Sequence, residues 1–477
     1  MSGAVFICFC WFSLLSSLSN KRDFTTAFIY FKQLKGVILI NNRYAEYLEA
    51  LKTDFTKIAK LEFLNPNGSV AFAVDNNPRN SHSGAFLQEG TLTCNLQNGK
   101  RRQATVTLAN IDGEFDYAVN NLWFGQQVRL SEGLILPDGT DYYISQGVFE
   151  LETPKEDITP AQNRITYSLT DKWSNLDGTL LGNLEDVYEV DAGTNIFEAM
   201  ASILKMGKYD AEANSDYPID PVAPLFTNYY NDKSQTLTDG TVVSMIEAPY
   251  DYISESTGTY ADVLLGLAEM LAAWIGYNSN GRLVIDASQD DIDDADKPVL
   301  WDYTTDEKQL LSVSYTHRNT EVYNDIIVVG ATGDDNTTPR GRAQDTDPTS
   351  KTCISRVGLK TKRFDMQNYY SDDICQSYAE WMLKRYSVLQ KSVSITSTQM
   401  FHITENSLIS IKRPDKKGSP KERHLIQSFS RPIGQTGGMT IEAVSVNDLP
   451  RPTITYMSFI AGIAIAGWTK AGTVSSS

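Results

Sequence analysis

The densest set of reactive groups in this 477-residue chain is a carboxylate run, D-A-S-Q-D-D-I-D-D-A-D, from Asp286 to Asp296. Such oxygens suit a hard cation such as Ca²⁺. The run lacks the central glycine and the closing bidentate glutamate that shape an EF-hand loop, so it reads as a solvated loop. Gly330-Ala331-Thr332-Gly333-Asp334-Asp335 follows a strand pattern, where phosphate-binding loops begin. It matches neither G-x-G-x-x-G nor G-x-x-x-x-G-K-[ST], and no helix pattern follows it, so nucleotide binding is not expected. The four histidines, His82, His317, His402 and His424, have no metal-ligand spacing and read as packing or surface residues. A Ser/His/Asp site can be assembled from distant residues, but no G-x-S-x-G marks a nucleophile. The five cysteines, Cys8, Cys10, Cys94, Cys353 and Cys375, are odd in number and scattered, with no C-x-x-C pair. Reduced thiols fit this pattern best, with Cys94 a small core residue of an alternating strand. The reading is of a protein that is not an enzyme, with no catalytic residue, cofactor or metal assigned.

Composition narrows the partners. Net charge is -17, with 59 acidic against 42 basic residues, which disfavours gripping a phosphate backbone. A wall of that sign would instead let nucleic acid slide past. Hydrophobic content of 41% is that of a folded chain, and the length implies several domains. The 24 tyrosines include pairs in loop-like sequence or at element ends: Tyr229-Tyr230, Tyr250 with Tyr252, and Tyr369-Tyr370. These six are the interface candidates, because exposed tyrosines suit binding surfaces, with protein favoured over sugar. The competing reading is that they fill irregular cores.

The elements that would position these groups follow from periodicity. Residues Tyr44 to Ile58 carry one apolar helical face. Alternating strands then run from about Lys60 to Thr170, punctuated by turns at Asn65–Gly68, Asn98-Gly99 and Pro137-Asp138-Gly139. Thr194 to Met206 reads as a helix capped by Asn195 and Glu198, and Tyr209 to Ser256 as loop. Thr259 and Asp262 have capping-box spacing ahead of a buried helix, Val263 to Ile275, which Gly276 ends; Asn280-Gly281 turns into a strand at Leu283–Ile285. Further strands are expected at Val313–Tyr315, Ile326–Val329, Val393–Thr396, Leu408–Ile411, His424–Phe429 and Met439–Val446. A loop over Gly330–Ser350 and a helix starting at Ser371 interrupt them. The fold class is α+β, mainly β: two barrel-like antiparallel β domains flanking an α/β insert. The divisions are an N-terminal extension at 1–42, a helix and first β domain at 43–174, the insert at 175–300, a second β domain at 301–450 and a tail at 451–477.

The two ends have their own character. Ala4 to Leu18 is apolar but shorter than a membrane-spanning helix, and Lys21 and Arg22 follow it instead of preceding it as in a secretory signal. It reads as translation from upstream of a start near Val37 or Leu39, or as a degenerate signal or anchor, or as a packed helix. Met457 to Trp468 is also too short to span a bilayer and is rich in Gly and Ala.

Between about residues 44 and 450 an ordered set of segments resembles a known family. The set comprises L-E-A-L-K-T-D-F-T-K-I-A-K-L-E-F-L-N-P-N-G (Leu48–Gly68), Y-E-V-D-A-G-T-N-I-F-E-A-M-A-S-I-L (Tyr188–Leu204), I-G-Y-N-S-N-G-R-L-V-I (Ile275–Ile285), S-L-I-S-I-K-R-P (Ser407–Pro414) and the closing hairpin His424–Val446. In this order they are similar to the tail-tip or baseplate hub proteins of tailed phages and prophages. The resemblance implies a virion structural protein that trimerises. Its two β domains would make a pseudo-sixfold ring joining the sixfold tail component to threefold distal parts around a central channel. The implied partners are further copies of itself, distal tail or tail-tube proteins, and a spike, fibre or tape-measure protein. The implied location is the virion tail, reached from the bacterial host cytoplasm during assembly. Specific nucleic-acid binding and a stable membrane span are not expected. The alternative is a host-surface or carbohydrate-binding adhesin built of β domains.

Overall fold

The computed structural model describes residues 43–445 apart from 66, 81–84, 98, 112, 114, 116–124, 161, 207–233, 237–241, 245–246, 249–250, 271–272, 288–298, 304–308, 318–321, 333–335, 367–371, 388–390, 413–417 and 419–420. The N-terminal extension and the C-terminal tail lie outside the described residues, as does all but the first two residues of the acidic run.

The chain divides into two compact units, the smaller formed by residues 1–56 with 134–142 and the larger by 57–133 with 143–477. In the smaller unit, helix α1 spans residues 43–50. Tyr47 stacks on Tyr44 at 5.9 Å and on Tyr142 at 5.2 Å between ring centres. Arg43 reaches Glu46 at 2.8 Å and Asp138 at 2.6 Å. That guanidinium, with the Thr140 N–H donating to Oδ1, pulls the Asp138 carboxyl down to about 2. The helix is shorter than expected: by Thr56 the alternating residues have turned to strand, and Ile58 is buried there.

Eight strands come first in the chain: β1 (Thr56–Leu64), β2 (Val70–Asp75), β3 (Ala85–Asn95), β4 (Arg102–Asn110), β5 (Gln127–Ile135), β6 (Asp141–Leu151), β7 (Lys155–Thr159) and β8 (Gln162–Asp171). The insert follows with β9 (Glu189–Val190), α2 (Ile196–Met206), β10 (Ser234–Thr236), β11 (Val242–Ser244), β12 (Tyr252–Ile253), α3 (Tyr260–Met270), β13 (Ala273–Tyr277) and β14 (Leu283–Ala287). Then come β15 (Val299–Tyr303), β16 (Leu310–His317), β17 (Asp325–Val329), β18 (Arg340–Gln344), the single turn α4 (Ile354–Val357), β19 (Thr361–Asp365) and α5 (Asp372–Tyr386). The described chain closes with β20 (Lys391–Ser397), β21 (Leu408–Lys412), β22 (Lys421–Ile433) and β23 (Met439–Ser445).

The protein is mainly β, with antiparallel β regions on both sides of an α/β insert. The two regions are joined. Fourteen strands form one sheet with the path β16-β20-β23-β22-β3-β4-β8-β6-β5-β1-β2, while β15, β21 and β7 pair beside it. The junction is the antiparallel ladder of β22 on β3, from Ser428 opposite Asn95 to Ile433 opposite Gly90. No closed barrel forms among the described residues, because the path has two distinct ends.

The insert has its own core, in which Met200, Ile203, Val263, Leu264, Leu267 and Ile275 are fully buried. Asn195 caps α2 by accepting from the N–H groups of Phe197 and Glu198. At α3 the capping box is reciprocal: Thr259 N–H donates to Asp262 Oδ2 at 2.8 Å, and Asp262 N–H to Thr259 Oγ1 at 3.2 Å. This helix ends earlier than the sequence implies. Trp274, Ile275 and Tyr277 instead form β13, paired with β14 across a turn in which Gly281 has φ +70°. The aromatic and β-branched residues suit a pleated hairpin, and Gly276 sits within the strand.

A second departure lies inside the expected last β domain. β17, β18 and β19 form a separate three-stranded sheet, and α5 covers it with a core of Ile326, Val328, Cys375, Tyr378 and Ala379. The expected loop 330–350 therefore holds β18, whose buried residues are only Gly341 and Ala343. A Cβ on Gly341 would lie 2.2 Å from the Cys375 carbonyl carbon, so helix and strand pack backbone to backbone.

Candidate functional site

The most distinctive polar cluster sits where the two β regions meet, inside the larger unit. Its charged residues stand at inward-facing positions of strands. Arg431 of β22 is fully buried, and its Nε donates to Glu132 Oε2 of β5 at 2.6 Å, itself unexposed. The same guanidinium donates to the Met400 carbonyl at 2.9 Å and to Gln146 Oε1 of β6. Lys57 of β1 approaches the other Glu132 oxygen at 3.4 Å and donates to the Pro432 carbonyl. Burial is the main reason its ammonium titrates lower than usual.

A second buried arginine stands beside the first. Arg102 of β4 donates to the Gln146 carbonyl at 2.9 Å, to Thr404 Oγ1 at 2.8 Å and to Glu405 Oε2. The Cys94 thiol donates to the same Glu405 oxygen at 3.1 Å. Burial works against ionising Glu405, but the Arg102 and Arg101 charges and the hydrogen bonds from Thr404 and Cys94 outweigh it, so the carboxyl titrates low. Burial pushes the Cys94 thiol well up. Asp171, at the end of β8, accepts from the N–H groups of Arg101 and Arg102 at 2.8 and 2.9 Å and of Trp173 at 3.1 Å. Its burial still lifts it to about 6. These groups are largely buried and held mainly by internal partners, so they bind strands together.

Two histidines also face inward, while His317 is exposed at the end of β16. His402 is held near Trp301, 5.6 Å between rings, and its burial lowers it to about 4. His424 is fully buried with Nδ1 3.2 Å from the Glu422 carbonyl oxygen. Among the described residues no three His, Cys, Asp or Glu side chains gather as metal ligands. Cys94, Cys353 and Cys375 are free and buried. No described helix is long and apolar enough to cross a membrane.

Of the six candidate tyrosines, Tyr229, Tyr230, Tyr250, Tyr369 and Tyr370 lie outside the described residues. Tyr252 is described and is no surface residue. It is 8% exposed within the insert core, its hydroxyl donates to the Asp262 carbonyl at 3.1 Å, and its ring lies where a Cβ on Gly266 would be. Two residues fold it onto α3 where the sequence read a loop end.

The surface offers strand edges instead. The sheet's end strands, β16 and β2, each occupy one end of the path. Leu311 on β16 is 58% exposed, and Val70 on β2 is 44% exposed.

No family model and no curated protein matches this sequence. Solved structures do match. The tail protein from Neisseria meningitidis MC58 superposes with a TM-score of 0.52 at 9% identity, covering 83% of this chain and 98% of that one. The 43 kDa tail protein of prophage MuSo2 from Shewanella oneidensis gives 0.48 at 12% identity, over 83% of this chain and all of that one. Prophage tail protein gp18 from Listeria monocytogenes EGD-e gives 0.44 at 9% identity, over 86% and 99%. The chain described here has the fold of the Neisseria tail protein.

Proposed function

We propose that this chain is a non-catalytic structural component of a phage or prophage tail. It would act as the hub at the tail tip, trimerising to join a sixfold tail component to threefold distal parts around a channel. The observation that carries this reading is the likeness to the Neisseria tail protein, which spans nearly the whole of that protein. The single sheet adds physical support. It joins the first and second β regions through the β22–β3 ladder, which supports a subunit that would offer two β faces to a sixfold neighbour. Its two different end strands suit head-to-tail contacts, which close into rings when the rotation allows. The acidic balance, -17, agrees with a channel wall that does not retain nucleic acid. Virion location and contacts with distal tail, tube, spike or tape-measure proteins belong to the same proposal.

The test is electron microscopy of the purified full chain at micromolar concentration, alone and mixed with the tail-tube protein of the same phage. Three-lobed rings with a central opening are expected. Compact single particles under both conditions would refute the hub.

A further inference from the structure

Away from the buried junction, two adjoining clefts open beside β3 and the β7–β8 hairpin, with volumes of about 500 and 410 Å³. Phe86, Gln88 and Arg164 line both. The strands explain this convergence. Phe86 and Arg164 stand opposite Ala109 on its two sides, so an aromatic ring and a guanidinium flank one small residue of β4. The ladder shifts register between Leu87 and Glu89, leaving Gln88 as the extra residue of a bulge, a feature that re-aims a side chain.

Three polar atoms here are buried and have no partner: Gln88 Oε1, Asn163 Oδ1 and Arg164 Nε. An orphaned arginine donor is costly, and such groups in a native fold call for an unseen partner. The carboxylates that might serve are engaged elsewhere. Asp157, directly opposite Arg164 across the hairpin, bonds Lys155 at 3.0 Å. Glu89, in the larger cleft, receives the Gln435 amide. Arg164 is therefore a cation without its anion in a strongly acidic chain.

The rest of the lining defines the anion's carrier. Side-chain amides from Asn76, Gln88, Gln162 and Asn163, with the Thr159 hydroxyl, surround the two clefts, and Phe86, Ile111 and Pro160 supply apolar surface. Amides offer donors and acceptors close together, the complement of vicinal hydroxyls. A peptide would be met chiefly by backbone groups along a strand edge. A ligand with hydroxyls on one side, an apolar ring face and a carboxylate is an acidic sugar. The volumes are those of small-ligand sites, enough for one or two sugar rings.

We propose that the Arg164 clefts bind a carboxylate-bearing saccharide of the uronic or sialic acid type. The carboxylate seats on the Arg164 guanidinium, the hydroxyls on Gln88 and Asn163, and the ring face on Phe86. Because all these residues belong to one chain, the site is complete whether or not the protein trimerises.

The probes are galacturonate and N-acetylneuraminate, with galactose and a capped acidic peptide as comparisons, titrated into the full chain and followed by calorimetry and ligand-observed NMR. Dissociation constants on the order of millimolar are expected for the acidic sugars, the range for one charged contact with a few hydrogen bonds. Galactose should bind about tenfold more weakly, and Arg164→Gln should bring the acidic sugars to the galactose level. Should Arg164→Gln fail to fold, Ile111→Trp serves instead: Ile111 is 63% exposed, and the larger side chain would crowd the smaller cleft and abolish binding. Absence of acidic-sugar binding at tens of millimolar, binding unchanged in both variants, or equal binding of the acidic peptide would each overturn the proposal.

Discussion

Replacing Arg431 with methionine should destabilise the junction of the two β regions far more than removing any surface ion pair. The substitution keeps an unbranched, apolar side chain of similar reach. It leaves the fully buried Glu132 with only Lys57, at 3.4 Å, and strips donors from the Met400 carbonyl and Gln146 Oε1. Removing one partner of a buried ion pair costs about 3–5 kcal/mol, and the residual lysine places the expected loss near about 3 kcal/mol. In a unit of this size that is a drop of roughly 3–5 °C in melting temperature. The assay is a thermal melt followed by tryptophan fluorescence, with Arg363→Met as control. Arg363 and Asp365 also pair at 2.6 Å but are 59% and 66% exposed, so that control should shift by less than about 1 kcal/mol. The double variant Arg431→Met with Glu132→Leu should recover part of the loss, because the unpaired buried carboxylate is gone while Lys57 still loses its counter-charge. A single-variant shift no larger than the Arg363 control would refute the reasoning.

Opposed titrations should flatten the acid side of the stability curve. Asp171 is raised to about 6, so its contribution is full below its unfolded value near 3.8 and is lost as pH rises through 6. His402 is lowered to about 4, so its contribution is full above 6.5 and is lost as pH falls through 4. Each amounts to about 3 kcal/mol, so Asp171→Asn should expose a decline in stability from pH 6.5 to 4 in urea titrations. A decline no steeper than that of the unaltered protein would count against it. Gly341→Ala should cost about 1–3 kcal/mol, since the strand must move off α5, and the melt of the three-stranded sheet should reveal it. In the native protein Cys94, Cys353 and Cys375 should resist iodoacetamide until denaturant is added, as mass spectrometry of the labelled peptides will show.

Local signals were legible where a few neighbouring residues decide the outcome. Thr259 with Asp262, and Asn280 before Gly281, marked a helix start and a hairpin turn, because capping and positive φ are satisfied within a few residues. Signals failed where tertiary contact decides. β18 alternates correctly, but its inward residues are Gly341 and Ala343, invisible to a search for large apolar side chains and small because α5 lies against them. The run through Trp274 and Ile275 continues a helix as well as it fills a strand, and only the pairing with β14 settles it. Arg102, Glu132 and Arg431 gave no sequence signal, because their strands carry other polar residues as well. Each points to a partner hundreds of residues away, which periodicity cannot supply. Arg164 and Gln88 gave no sequence signal, because the bulge that aims Gln88 exists only once β3 and β4 are paired.

The ladder between β22 and β3 also orders events on the ribosome. Residues 90–95 find their partner only when residues 428–433 have been made, so one edge of the first β region stays uncovered through more than three hundred residues of synthesis. An exposed strand edge is a template for pairing with other chains, and late, distant closure is slow. The insert and the three-stranded module are both completed within that interval. Chains truncated before β22 would leave that edge of β3 uncovered and would be prone to aggregate.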